Sequence, residues 1–371
     1  MAFTAKQELI ELLKDDHDFR KINLSLDNIK KALAIFSNPQ DDFESVIVAG
    51  TNGKGSVCTY LEQLCLKYTD LKVAKFTSPH LISVTERIKL QNNEIPEARF
   101  VELLNEIKEK ISFELTYFEK LSLVAFVYFS REKVDIAIIE VGMGGRLDCA
   151  NVISAEKRKA TSITSIGLDH VHFLGDTVEK IRKEKEAIKR KTVPHFDYQD
   201  YDFPGSIQEK NYSLALEIFK KAIQKTDIEI DKEYIFKAYK TSYRARFEFF
   251  EKYDLLLDSA HNLDGAKVLN EYLKEEFKGK KIDFHLAFLD RNYRSFVRNL
   301  IEDIDVEKIF IYQLEDDRAA VSKIVLRDLK EDLAHIEIEL ADLQKPTKSE
   351  NFKVYTGSIY FCGQVLKLIG N

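Results

Sequence analysis

Gly50-Thr51-Asn52-Gly53-Lys54-Gly55-Ser56 lies between a buried-type apolar run, SVIVAG, and a stretch with helical periodicity. Glycines let backbone N–H groups converge on phosphate oxygens, and the start of a helix favours anions. The lysine offsets β/γ charge, and the serine hydroxyl can reach Mg²⁺. The pattern therefore reads as a cradle for a nucleoside triphosphate. It departs from the common GxxxxGK[ST] spacing, because Val48 stands where the first glycine would be and Gly55 follows the lysine. The plainer alternative is a strand-to-helix turn that holds no ligand.

Three more residues have types and placements that suit the same chemistry. In VDIAIIEVG a single carboxylate, Glu140, ends an otherwise apolar strand, and ligands of open α/β sheets bind beyond the carboxyl ends of strands. A carboxylate there needs a partner, either a metal ion or a helix N-terminus or cation. His170 follows the next strand at the same edge and suits metal contact beside Glu140; alone it would be structural. Lys185 shares a helical stripe with Val178, Ile181 and Ile188. An ammonium on such a stripe is costly, so its pKa should fall and its neutral amine become nucleophilic. The alternative is a lysine that snorkels from the last helical turn.

These residues need a scaffold that brings strand ends together. From about residue 45, strand-like runs alternate with helix-period segments: SVIVAG, KVAKFTS, VDIAIIEVG and ATSITSIG, with helices near 97–111, 118–131 and 176–190. Val57, Tyr60, Leu61, Leu64, Cys65 and Tyr68 fall on one face of the helix after the glycine-rich turn. A second series holds DLLLDS, DFHLAFL, KIFIYQL, HIEIEL and FKVYTG, with helices from about 264 and near 292–304 and 319–332. The alternation predicts α/β architecture: a P-loop-containing, mainly parallel sheet domain over 1–238 and a smaller Rossmann-like α/β domain over 239–371. The break falls in 192–245, where PHFDYQDYDFPG is aromatic and acidic and a helix near 208–225 intervenes.

Composition narrows the partners. With 371 residues and 44% hydrophobic content the chain can build two cores. A net charge of −6 with only short basic runs, such as Lys189-Arg190-Lys191, disfavours nucleic acid. No run approaches a membrane span, and the charged opening segment lacks the apolar core of a signal peptide. The expectation is a soluble cytoplasmic monomer. Cys58, Cys65, Cys149 and Cys362 form no CxxC pair, so core packing is their expected role.

GTNGKGS resembles the loop of the Mur ligase superfamily, and GKGS that of its folylpolyglutamate synthase and dihydrofolate synthase branch. Further segments resemble that branch in the same order: Thr77-Ser78-Pro79-His80-Leu81 with Glu86-Arg87-Ile88, Leu115 to Glu119, Glu140 to Asp148, Thr164 to His170 with Phe173 to Thr177, Gln208 with Asn211, Arg246 to Glu248, Asp258 to Asn262, and Thr356 to Ser358. Together they span about 22–365.

The resemblance implies an ATP-dependent ligase that joins glutamate to dihydropteroate or folates through an acyl phosphate, with two Mg²⁺ ions. It implies that Gly50, Thr51, Asn52, Gly53, Lys54 and Gly55 hold phosphates and that Ser56 takes the first Mg²⁺. Glu140 would take both ions, and Ser78, His170 and a carbamate on Lys185 the second. Asn211 would meet adenine, Arg246 phosphate and Asp258 the ribose. His261 and Ser358 would receive glutamate, and Arg87, Thr116, Phe118 and Asp148 the pterin-bearing acid; core packing is the alternative for Phe118. This chain differs from the branch in five places: a short 191–208 stretch, Leu263 in place of a proline, Arg244-Ala245-Arg246 in place of PGR, Asp290-Arg291-Asn292 in place of DKD, and GRLDCAN, ending in Cys149-Ala150-Asn151, in place of GRLDATN. Two rivals stand beside this reading: a Mur-type ligase that adds an amino acid to a peptidoglycan precursor, and a non-catalytic nucleotide- or folate-binding protein.

Overall fold

The computed structural model describes residues 4–14, 25–224, 228–289 and 292–370. The chain divides into two compact units, Met1–Ser242 and Tyr243–Asn371.

The first unit runs α1 (Ala5–Lys14), α2 (Asp27–Ile35), β1 (Glu44–Ala49), α3 (Lys54–Tyr68), β2 (Val73–Phe76), β3 (Ile88–Leu90) and β4 (Asn93–Glu94). It continues with α4 (Glu97–Lys110), α5 (Tyr117–Arg131), β5 (Ile136–Glu140), β6 (Arg158–Ile163), α6 (Val171–Leu174), α7 (Val178–Glu186), β7 (His195–Asp197), α8 (Ile207–Ile218) and α9 (Lys232–Ser242). Its seven strands lie in the order β4-β3-β2-β5-β1-β6-β7. β2, β5, β1, β6 and β7 are parallel, and β3 and β4 add an antiparallel edge.

Val46, Ile47, Val48 and Ala49 of β1 are all fully buried, as expected for a central strand covered on both faces. Ile47, Ala74, Phe76, Ala137 and Ile139 join one core with Phe100, Phe126 and Phe129 of α4 and α5. The alternate residues face α3. Sequence periodicity gave α3 one apolar face, yet the helix is buried all round from Gly55 to Cys65, because α8 and α9 cover its outer side. β7 begins in PHFDYQDYDFPG, so part of that expected linker belongs to the first sheet; three residues are too few to show a strand period. The expected domain break at 238 falls within α9, which runs on to Ser242.

The second unit runs β8 (Glu248–Phe250), β9 (Leu255–Leu257), α10 (Leu263–Glu276), β10 (Ile282–Leu286), α11 (Tyr293–Ile301), β11 (Val306–Ile311), α12 (Ser322–Asp332), β12 (Glu337–Leu340), β13 (Phe352–Thr356) and α13 (Ile359–Ile369). Its sheet order is β12-β11-β10-β13-β9-β8, parallel apart from β8. Phe284, Leu286, Val354 and Leu256 pack against α10, α11 and α12 through Leu269, Val297 and Leu329. All four cysteines are buried and free.

Candidate active site

The glycine-rich loop leaves β1 at its carboxyl end and enters α3, whose first residue is Lys54. The exit of β6 fixes its path. The backbone N–H of Thr51 donates to the Ser165 carbonyl at 2.7 Å. Thr51 Oγ1 donates to the Gly167 carbonyl and accepts from the Gly167 N–H, each at 3.1 Å. Thr164 Oγ1 donates to the Asn52 carbonyl at 2.7 Å, and Ser165 Oγ to the same carbonyl at 3.1 Å. A β-carbon on Gly50 would lie 1.8 Å from Thr164 Oγ1, so only glycine lets β6 approach this closely.

Glu140 ends β5 opposite Val48 of β1 and is 3% exposed. Its Oε1 lies 4.0 Å from Lys54 Nζ, and its Oε2 accepts from the Ser78 backbone N–H at 3.1 Å. Lys54 Nζ also donates to the Gly50 and Thr51 carbonyls at 3.2 and 3.1 Å.

Lys185 is buried beside Ile181 and Ile188, as the helical stripe predicts, whereas Val178 is exposed. Its Nζ donates to the Gly50 carbonyl at 2.8 Å, which joins α7 to the phosphate loop. Burial first, and then the charge of Lys54, lowers its pKa to about 7; Asp169 and Asp148 oppose the shift. A substantial fraction of this amine is therefore neutral near pH 7.

His170 follows β6 at the same sheet edge, is exposed, and has Nε2 3.8 Å from Asp169 Oδ2. The structure thus brings Lys54, Ser78, Glu140 and Lys185 around one loop and leaves His170 exposed on the segment that follows β6. Among the described residues, no three His, Cys, Asp or Glu side chains gather as a protein-only metal cage. Mg²⁺ does not need one: it takes one or two carboxylates with phosphate and water oxygens. The buried Glu140 carboxylate and the Ser56 and Ser78 hydroxyls fit that preference.

Several candidate side chains have structural duties as well. Asp148 accepts from the Gly142, Met143 and Ala150 N–H groups at 2.9–3.0 Å, and burial raises its pKa to about 6 against those bonds. Thr116 caps α5, completed by Glu119 as a capping box, a signal present in the sequence. Phe118 packs on Gly142, where a β-carbon would lie 2.5 Å from the ring, and on Phe76. Arg87 Nε donates to His80 Nδ1 at 2.9 Å. Asn211 of α8 faces the loop, its Oδ1 2.6 Å from a β-carbon placed on Gly53.

In the second unit, Asp258 follows β9 and is buried; desolvation raises its pKa while Arg246 lowers it. It accepts from the Phe247 and Ala260 N–H groups at 3.0 and 2.8 Å. Ser358 caps α13, and His261 Nδ1 pairs with the Ser259 carbonyl at 2.9 Å. The Gly357 N–H donates to the Ala260 carbonyl at 3.0 Å, so the Asp258–Asn262 and Thr356–Ser358 loops adjoin where α10 and α13 begin. Ala245 holds φ +53°, the left-handed region that the glycine of PGR enters without strain. Asp290 and Arg291 lie outside the described residues.

Residues 48–195 match the model of the Mur ligase middle domain. The chain is 28% identical to dihydrofolate synthetase of Saccharomyces cerevisiae over 94% of this chain and 98% of that protein. It is 42% identical to dihydrofolate synthase/folylpolyglutamate synthase of Escherichia coli over 40% of this chain and 34% of that protein. The structure of E. coli FolC in complex with ADP, without folate substrate, superposes with a TM-score of 0.82 at 25% identity, covering 99% of this chain and 98% of that one.

The chain is thus similar over nearly its whole length to the S. cerevisiae dihydrofolate synthetase and to E. coli FolC. With several other curated relatives the matched stretch spans under half of their length, 42% for the Haemophilus influenzae dihydrofolate synthase/folylpolyglutamate synthase. The positions sequence reasoning left without a role in this candidate site are Thr164, Ser165 and Gly167, which clamp the loop, and Gly145, which packs on Lys185. A polar TSIG following a buried strand was the available signal for the first three. Gly145 acts across 40 residues of sequence, and only the resemblance of the Glu140–Asp148 segment pointed to it.

Proposed function

We infer that this chain is an ATP-dependent, amide-forming ligase that joins L-glutamate to dihydropteroate, to folyl(poly)glutamate, or to both. The observation that carries the reading is the buried Glu140 carboxylate set between Lys54 Nζ and the Ser78 N–H at the end of the phosphate loop. It joins a triphosphate cradle to a metal-ready carboxylate with no serine or cysteine nucleophile required.

The loop N–H groups and Lys54 hold the β- and γ-phosphates in line with the incoming acid. A carboxylate oxygen of the pterin-bearing acid forms a bond to the γ-phosphorus, and the bond to the ADP oxygen breaks. The glutamate amine then bonds to the acyl carbon, phosphate leaves, and the amine gives up a proton. Positioning and charge neutralisation carry both steps. Two bound Mg²⁺ ions supply charge neutralisation at the phosphates, and Ser56, Ser78, Glu140, His170 and Lys185 are the residues to hold them. Lys185 serves as its carbamate: its neutral amine adds to CO₂ and loses a proton, replacing a buried cation by an anion. Asn211, Arg246 and Asp258 receive the nucleotide. Arg87, Thr116, Phe118 and Asp148 line the side of the acid, and the N-termini of α10 and α13, with His261 and Ser358, suit the carboxylates of glutamate.

The reading includes a cytoplasmic monomer that takes neither nucleic acid nor membrane as a partner. The net charge of −6 supports it, and no helix among the described residues is long and apolar enough to cross a membrane.

The test is ADP release with ATP, Mg²⁺ and glutamate, comparing dihydropteroate with tetrahydrofolate. Release with at least one acceptor is expected. Release with neither, or with UDP-linked peptide precursors instead, overturns the reading.

A further inference from the structure

Ser56, the loop residue suited to Mg²⁺, makes a hydrogen bond that neither its motif nor its helix requires. Its Oγ lies 3.0 Å from the hydroxyl of Tyr239 on α9. Both groups are buried, Ser56 8% and Tyr239 2% exposed. The Tyr239 ring is held firmly: it stacks on Tyr60 of α3 with centroids 4.1 Å apart and planes 10° from parallel. α9 is fastened again one turn further on, where Ser242 Oγ accepts from Gln63 Nε2 at 3.2 Å and from Asn92 Nδ2 at 3.3 Å. The phenol oxygen is thus set at a fixed place over the first turn of α3, 183 residues from Ser56 in the chain.

A serine hydroxyl that ligates a cation must turn a lone pair toward it, and its proton must then go to an acceptor on the other side. An outer acceptor of this kind fixes the ligand's rotamer and strengthens its donation, and losing one commonly lowers metal affinity by about tenfold or more. Tyr239 Oη, 3.0 Å from Ser56 Oγ, is within reach to be such an acceptor. We propose that Tyr239 is a positioning residue for the Mg²⁺ of the nucleotide site, accepting the Ser56 hydroxyl proton so that the Ser56 lone pair faces the ion. The proposal rests on the reading of Ser56 as a metal ligand.

The experiment titrates Mg²⁺ against binding of a fluorescent ADP analogue to the full chain, for Tyr239→Phe, Tyr60→Phe and Ser56→Ala, with thermal midpoints measured in parallel. Tyr239→Phe keeps the stacked ring and removes only the acceptor. It should raise the Mg²⁺ needed for half-maximal binding by about tenfold and leave nucleotide affinity without Mg²⁺ within about twofold, as no phosphate contact is removed. Tyr60→Phe, which removes a buried hydroxyl that has no hydrogen-bond partner, should leave the Mg²⁺ dependence unchanged. Once Ser56→Ala has been made, adding Tyr239→Phe should change nothing further. An unshifted Mg²⁺ dependence in Tyr239→Phe, an equal loss of Mg²⁺-free binding, or a full effect in the Ser56→Ala background overturns the proposal. An unshifted Ser56→Ala instead removes the reading of Ser56 on which it rests.

Discussion

Gly145 lies flat against the backbone of Lys185: a β-carbon on Gly145 would come within 2.8 Å of the Lys185 carbonyl oxygen and 3.0 Å of its Cα. The next residue continues the dock, since the Arg146 N–H donates to the Glu184 carbonyl at 2.9 Å and its side chain pairs with Glu184 at 3.0 Å. Gly145 therefore sets the depth at which α7 delivers Lys185 to the phosphate loop. Gly145→Ala must push α7 outward, at a cost of about 1–3 kcal/mol. The expected result is a lower urea midpoint and a loss of ADP release larger than that cost alone explains, since a displacement of about 1 Å near the chemistry can cost a hundredfold.

Lys185 makes a pH-dependent contribution whose sign follows from its burial. Its folded pKa of about 7 lies below the ordinary lysine value of 10.5. Between those values the unfolded chain binds the extra proton, so stability rises with pH across that window and is flat below it. Urea unfolding at several pH values, wild type against Lys185→Met, should show this rise in the wild type and its loss in the variant. A wild type whose difference from the variant does not change between pH 7 and 10 would contradict the assignment.

The same amine should take up CO₂. With ¹³C-labelled bicarbonate, a carbamate resonance is expected in the wild type and absent in Lys185→Ala. That variant should lose about a hundredfold or more of its turnover, as expected for a group that places charge at a phosphoryl transfer, and regain part of it with added short carboxylates. Full activity in Lys185→Ala would exclude the carbamate.

Gly53 combines φ +86° with close approach of Asn211. Gly53→Ala adds about 1–2 kcal/mol of left-handed strain and a steric clash, so nucleotide affinity should fall by tenfold or more in a direct titration. Adding Asn211→Ala removes the clash but not the strain, and should restore the loss only in part.

Beneath the loop, Lys75 of β2 and Glu62 of α3 form a buried ion pair at 2.5 Å, with Lys75 Nζ also donating to Thr59 Oγ1 at 3.2 Å. Glu62→Ala strands the ammonium and should cost about 3–5 kcal/mol, whereas Lys75→Met with Glu62→Leu should come close to neutral. Denaturant midpoints of the two variants distinguish these outcomes.

Some of the site was legible before any fold was known, and the reason is local. GTNGKGS needs only its own backbone and the strand and helix beside it, so its conformation is a property of neighbouring residues. Glu140 at the end of an apolar strand and Lys185 on the Ile181–Ile188 stripe were visible because burial follows the periods of strand and helix. The alternation that predicted α/β architecture has the same origin, and both sheets carry it. β7 was missed because three residues show no period, and the all-round burial of α3 because only α8 and α9, far along the chain, create it.

The sequence by itself thus determined which residues are candidates for the chemistry and which strand ends present them, since those follow from side-chain type and short-range spacing. Tertiary structure alone decided the contacts that tune them: Thr164 closing on Gly50, Gly145 seating Lys185, Tyr239 meeting Ser56. Each joins segments dozens to nearly two hundred residues apart, and its geometry is set by how sheet and helices pack, at tolerances of a few tenths of an ångström that no local pattern records.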